Sequence, residues 1–264
     1  MSDAGGDSGP RERIERRVAD ARDAAVDRVV DARDAAAERV ADARDAAVAL
    51  IARQRPRLRG VSHEYAFFAS LALGAGLIVA AEGVRATVAV AVYAASLSAL
   101  FGVSALYHRV TWKRPEIRRW MRRLDHTMIF LLIAGTVTPF ALLVLEGTFA
   151  TALLIAVWAG AVAGIVVALI WVDAPKWVSA IVYVSVGLIG AVAYPEIIAR
   201  AGLGAGLLIA AGGLLYMVGA LIYAAQRPNP NPAVFGYHEI FHVLVIAAAA
   251  AHFAAIALYA LPSG

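Results

Sequence analysis

Seven apolar runs fill the chain from about residue 66 to its end, at 66–82, 86–108, 125–145, 149–172, 177–195, 202–225 and 236–261. Each approaches the roughly 20 residues that an α-helix needs to cross the hydrocarbon core of a bilayer. Lipid cannot hydrogen-bond a free backbone group, so runs of this length must satisfy their own N–H and C=O groups as helices. The expectation is an all-α integral membrane protein, with a seven-transmembrane helix bundle over residues 60–264. Composition agrees: of 264 residues, 61% are hydrophobic and 17% charged, against about 45–50% and 25% in soluble domains. An ordinary soluble enzyme is thereby excluded. The chain has no cysteine, which excludes a disulfide scaffold and leaves His, Asp and Glu as the side chains for any metal site. Its net charge of +4 comes from basic residues flanking apolar runs, which points to lipid headgroups and membrane topology and not to nucleic acid.

Before the first span the composition is different. Residues 1–10 are small and polar and are expected to be disordered. Residues 11–55 form an Ala/Arg/Asp-rich extension that repeats every 11 residues, with RVADARDAAVD from Arg17, RVVDARDAAAE from Arg28 and RVADARDAAVA from Arg39. Ile14, Val18, Ala21, Ala25, Val29, Ala32, Ala36, Val40, Ala43 and Ala47 lie along one helical stripe. A period of 11 gives about 3.67 residues per turn, so any supercoil would be right-handed. The stripe is thin and its charges nearly cancel. A solvated helical stalk is the plain expectation; self-association or contact with a membrane surface through 11–55 are the alternatives. The extension has no apolar core ahead of a cleavage site and is not expected to be a signal peptide.

Orientation follows from the flanking charges. Arg53, Arg55, Arg57 and Arg59 precede the first span, and Arg109, Lys113, Arg114, Arg118, Arg119, Arg122 and Arg123 follow the second. With seven spans these clusters share one side, and the other side offers only Arg85 and Arg200. The positive-inside rule then expects a cytoplasmic N-terminus and an outside C-terminus, in a multi-pass protein of the plasma membrane.

Polar side chains inside spans are functional candidates. Ser104 and His108 end the second span, Asp125 begins the third, and His238 and His242 open the seventh. By parity, all five fall in the same leaflet. Each pair spaced i, i+4 shares a helix face. Three imidazoles from two helices can surround a Zn²⁺ ion with one position left for water, whose pKa then falls to about 7. Asp125 would accept or hold the water's proton, and Ser104 would orient a ligand or touch substrate. Plainer readings exist. His108 suits a membrane interface, Asp125 an N-cap or a pair with Arg122 or Arg123, and Ser104 a bond back to the Leu100 carbonyl. His63 and His126 are expected to be interfacial, and His252, deeper along the last span, to pack or hydrogen-bond. The pair His238 and His242 resists such readings, because both must be buried where polarity is costly.

Residues 238–242, HEIFH, also match H-E-x-x-H, the zinc motif in which Glu is the general base of a metalloprotease. That reading would make Glu239 the base. It lacks a third ligand, since only His252 and no acid comes after it, and it leaves His108 and Asp125 unexplained.

From His63 to Phe253 the chain resembles the hemolysin III branch of the progestin and adipoQ receptor (PAQR) family. The resemblance rests on SALYHR at 104–109, RLDHTMIFLLIAGTVTPF at 123–140 and HEIFHVLVIAAAAAHF at 238–253. It implies a seven-helix bundle with a cytoplasmic N-terminus, and zinc held by His108, His238 and His242 with Asp125 and Ser104 near the bound water. Adiponectin-receptor members carry Gln in the position of Glu239, which speaks against an obligatory base there. Eukaryotic relatives look like ceramide hydrolases, whereas the hemolysin name implies pore formation or lysis. The expected function is a zinc-dependent membrane hydrolase of a lipid amide or ester, with a membrane lipid as substrate. A pore-forming protein, or a receptor-like protein with structural zinc, is the alternative, and the metalloprotease stands behind both.

Overall fold

The computed structural model describes residue 22, residues 26–44 and residues 56–264. The expected disorder of 1–10, the outer parts of the repeat, and Arg53 and Arg55 lie outside the described residues. The chain divides into two compact units, Met1–Gln54 and Arg55–Gly264. In the first, residues 26–44 form a helix, α1, whose side chains are all exposed, including Val29 and Val40 of the stripe.

The second unit consists of α2 (Val61–Ala80), α3 (Gly83–Arg109), α4 (Pro115–Leu143), α5 (Gly147–Ile170), α6 (Lys176–Ala191), α7 (Tyr194–Ala201), α8 (Leu203–Ala225) and α9 (Tyr237–Ala255). The last helix runs on through a π turn, Ile256–Ala260, and a 3₁₀ turn, Leu261–Ser263. Six of these helices are long and apolar enough to cross a bilayer, and α6 with α7 completes a seventh span bent by 43°. The chain is a multi-pass membrane protein with the expected seven-span bundle.

The bend has a local cause. Pro195 has no N–H to give to the Ala191 carbonyl, and its ring would clash with that carbonyl in a continuous helix. Helix α6 therefore stops at Ala191, and α7 restarts with proline in its first turn.

Two helices begin ahead of the expected spans. Helix α2 begins at Val61 rather than 66, which draws His63 into its first turn. Helix α4 begins at Pro115 rather than 125, because proline at the first helical position is already set for a helix. Asp125 consequently lies inside α4 and is not an N-cap.

Neighbours in sequence pack side by side, α2 on α3, α3 on α4, α4 on α5 and α5 on α6, then α6 on α8 and α8 on α9; α9 meets α2 and closes the ring. Large apolar side chains such as Val79, Ile170 and Leu214 face outward, as lipid allows. Between helices, small residues permit close approach. Gly135 of α4 lies where an added Cβ would collide with Ser96 of α3, and Gly164 of α5 faces the Phe130 ring of α4 in the same way. The α5–α6 connection is tied to α4 by Asp173, which accepts hydrogen bonds from Arg119 (2.5 Å) and Arg122 (2.8 Å). The Arg119 bond holds the Asp173 carboxyl below its ordinary range. This link is therefore present above the unfolded carboxyl pKa of about 4 and is lost as pH falls through the lower folded value.

Gly135→Leu is expected to push α3 and α4 apart and destabilise the bundle by about 1–3 kcal/mol. Gly76→Ala, at a position with nothing within 4 Å of an added Cβ, should leave the thermal unfolding temperature in detergent unchanged or slightly raised. Equal unfolding temperatures for the two variants would contradict the tight α3–α4 contact.

Candidate metal centre

Four helix ends meet at one end of the bundle: the starts of α2, α4 and α9 and the finish of α3. His108 lies in the last turn of α3, with Ser104 one turn earlier on the same face. His238 and His242 occupy the first two turns of α9. One nitrogen from each of His108, His238 and His242 lies within 4.8 Å of the other two. The Nε2 atoms of His108 and His238 are 3.1 Å apart, and the ring centroids are 4.5–5.1 Å apart. His242 is buried, and the other two are half-buried.

The carboxylate expected beside them is present. Asp125 Oδ2 lies 3.7 Å from His108 Nε2, and a side-chain hydrogen bond links Ser104 to Asp125. Ser104 thus serves the carboxylate from a neighbouring helix. Arg122 acts on Asp125 through its charge, while its own ion pair is with Asp173. All five side chains singled out in the sequence therefore converge, although His108 and His238 are 130 residues apart. A set of three imidazole nitrogens beside a carboxylate suits a transition metal of the zinc type, whereas calcium and magnesium favour oxygen ligands.

Glu239 has other partners. Its carboxylate accepts the Gly236 N–H at 2.8 Å, which caps the start of α9, and it is ion-paired to Arg59. Asn229 Oδ1 accepts the neighbouring Tyr237 N–H at 3.0 Å. The acid of the HEIFH sequence therefore builds the helix start that presents the two histidines.

His63, expected at the membrane interface, is 3% exposed within the bundle, and its ring stacks on that of His242. The sequence hid this because the apolar run alone suggested a later helix start. A cavity of about 490 Å³ opens from the cluster, with Ser104, Asp125, His238 and His242 at its polar end and walls that include Leu132, Ile133 and Val137. His126 lines it, half-buried. Farther in, His252 pairs its Nε2 with the Ile209 carbonyl at 3.2 Å. Between α6 and α8 the wall includes Leu188 and Met217, both of them exposed.

The chain is similar to known proteins. Residues 51–253 match the family described as haemolysin-III related. The chain is 34% identical to Hemolysin-3 of Bacillus cereus over 179 residues, covering 67% of this chain and 78% of that protein. It is 33% identical to the Hemolysin-3 homolog of Bacillus subtilis (strain 168), covering 64% and 75%. The Monocyte to macrophage differentiation factor of Homo sapiens is 28% identical, over 64% and 68%.

Two measurements check the centre. Elemental mass spectrometry of detergent-purified protein should find about one metal ion per chain, lost in His242→Ala. Arg59→Ala leaves the buried Glu239 carboxylate without its cation and is expected to cost about 3–5 kcal/mol of stability. Glu239→Gln, which keeps an acceptor for the Gly236 N–H, should retain the metal. Loss of metal in Glu239→Gln would contradict the structural role of this acid.

Proposed function

The chain belongs to the haemolysin-III related family, and from that membership and its buried histidine cluster we propose that it is a zinc-dependent integral-membrane hydrolase of a lipid amide or ester. The observation that carries this reading is the convergence of three imidazoles and one carboxylate at the mouth of an apolar cavity. His108, His238 and His242 would hold the ion. When bound, zinc supplies Lewis acidity and makes water a nucleophile near neutral pH.

The remaining steps belong to the protein's own side chains. Asp125 takes a proton at its carboxylate from the attacking water and returns it to the leaving amine or alcohol, so that acyl lipid and water become a carboxylic acid and a free amine or alcohol. Ser104 holds that carboxylate in place from α3. The cavity walls accept the acyl chain and exclude bulk water, and substrate enters sideways from the membrane past Leu188 and Met217. We place the protein in the plasma membrane with its N-terminus cytoplasmic, from the basic clusters at the α2 and α4 starts. The region 11–55 is proposed as a stalk available for self-association or membrane-surface contact.

Turnover separates this reading from its rivals. With ceramide-like amides as substrates, Asp125→Ala should keep its metal and lose activity by about 10²–10⁴-fold. If zinc is structural, as in a receptor-like protein, wild type shows no turnover and metal removal lowers stability alone. The names of the bacterial relatives favour a second reading, a lytic protein. Wild type and His242→Ala would then release dye equally well from liposomes; intact liposomes would exclude it. Single cysteines introduced near residue 3 and at Ser263, in this cysteine-free chain, should label from opposite faces in intact cells.

A further inference from the structure

The stacked pair formed by His63 and His242 has no part in the proton transfers assigned to Asp125. Their ring centroids are 3.7 Å apart and the planes differ by 7°. Phe101 of α3 meets the His63 ring edge-on, with centroids 5.1 Å apart at 64°. His63 comes from the first turn of α2, so the stacked contact joins the first span to the last. His242 Nδ1 is buried and has no hydrogen-bond partner among the described residues. That is unusual for a candidate ligand. A metal-binding histidine ordinarily gives its second ring N–H to a carboxylate, a carbonyl or water, and this bond fixes the ring. Both nitrogens of His63 are also buried without a hydrogen-bond partner among the described residues. What His63 offers the His242 ring is its flat face.

We propose that His63 is a positioning residue for the metal centre: its ring, wedged between His242 and Phe101, sets the plane of the His242 imidazole. The inference rests on the reading of His108, His238 and His242 as metal ligands. A freely rotating His242 would present its nitrogen to the other two ligands only part of the time. Stacking over a full ring face removes that rotation, while Phe101 meets the His63 ring edge-on. Here Gly60, with φ +79, brings the chain against His108, so that a Cβ at this position would lie 2.6 Å from the His108 Cβ. The α2 entry therefore touches two of the three candidate ligands.

The test compares His63→Leu, which keeps bulk and removes the flat face, with His63→Phe, which keeps the face and removes the nitrogens. Zinc affinity of the full-length, detergent-purified protein is measured by competition with a chromophoric chelator. The d–d absorption of the cobalt-loaded protein reports ligand geometry independently. His63→Leu should bind zinc about 10–100-fold more weakly with a shifted cobalt spectrum, whereas His63→Phe should stay near wild type in both. A role in packing alone would lower the unfolding temperature of the metal-free protein and leave the cobalt spectrum unmoved. Should the leucine variant not fold, His63→Met takes its place. Wild-type affinity in the leucine or methionine variant overturns the proposal, as does a phenylalanine variant as weak as the leucine one. A wild type that takes up no metal overturns the metal-site reading and this inference together; a wild type that binds zinc while His63→Leu binds it equally well overturns this inference alone.

Discussion

Imidazoles within 4.8 Å of one another inside an apolar bundle are the constraint on which the rest of the structure depends. A polar group taken out of water loses several kcal/mol unless something replaces its hydrogen bonds, and in a membrane no solvent stands ready to do so. Three nitrogens crowded together cannot all satisfy one another, because each neutral ring has a single donor. The arrangement is coherent when the lone pairs converge on a shared electrophile. It also requires four helix termini to keep register across the ring, and the contacts of α9 with α2 and α8, and of α3 with α4, supply that register. Glycine at 135, where α4 presses on Ser96 of α3, is one place where the bundle gives up side-chain volume to bring Ser104 and Asp125 together.

The short segment ahead of α2 adds a clamp over this end. Arg57 N–H donates to the Ala233 carbonyl at 3.0 Å and Leu58 N–H to the Val234 carbonyl at 3.2 Å. Arg59 then reaches the Glu239 carboxylate. Backbone and side chain together fasten the first span to the loop before the last. An acid whose spacing matches a protease motif is thereby used to hold α9 at the correct height. Removing the charge by Glu239→Gln spares the cap, whereas removing Arg59 strands a buried carboxylate, so the two changes load the same clamp very differently.

Much of this is legible in the sequence because the membrane simplifies the problem. Runs of about 20 apolar residues have one outcome in lipid, and counting them assigns every span end to a leaflet. Parity alone places Ser104, His108, Asp125, His238 and His242 at one end, and the i, i+4 spacing puts the paired residues on shared faces. Other features depend on contacts that hydropathy does not encode. His63 sits in a stretch, GVSHEY, whose polar residues hide the true start of α2, and the rings of His242 and Phe101 pack against it. The bend before Tyr194 needs the proline rule applied inside an apolar run that otherwise reads as continuous. The cavity is invisible to periodicity, since residues from every helix of the bundle, α2 through α9, contribute to it.

The cavity also bears on which activity suits the fold. A conducting path needs polar or charged groups along its length to replace the hydration of an ion. Here polarity is concentrated at the end beside the histidines, and Leu132, Ile133, Val137, Phe140 and Val245 dominate the deeper walls. Thr136, Tyr194, Tyr216 and His252 are polar exceptions among them, and His252 is engaged with the Ile209 carbonyl. Such a gradient, polar at one end and apolar beyond, matches an amphiphile with its headgroup linkage at the cluster and its chain inside. It offers little to a permeating ion. On the proposed reading, a substrate anchored by an apolar chain would have weak directional preference of its own, and the orientation of its reactive bond would have to be imposed by the polar end, through Asp125, Ser104 and the ring planes of the histidines.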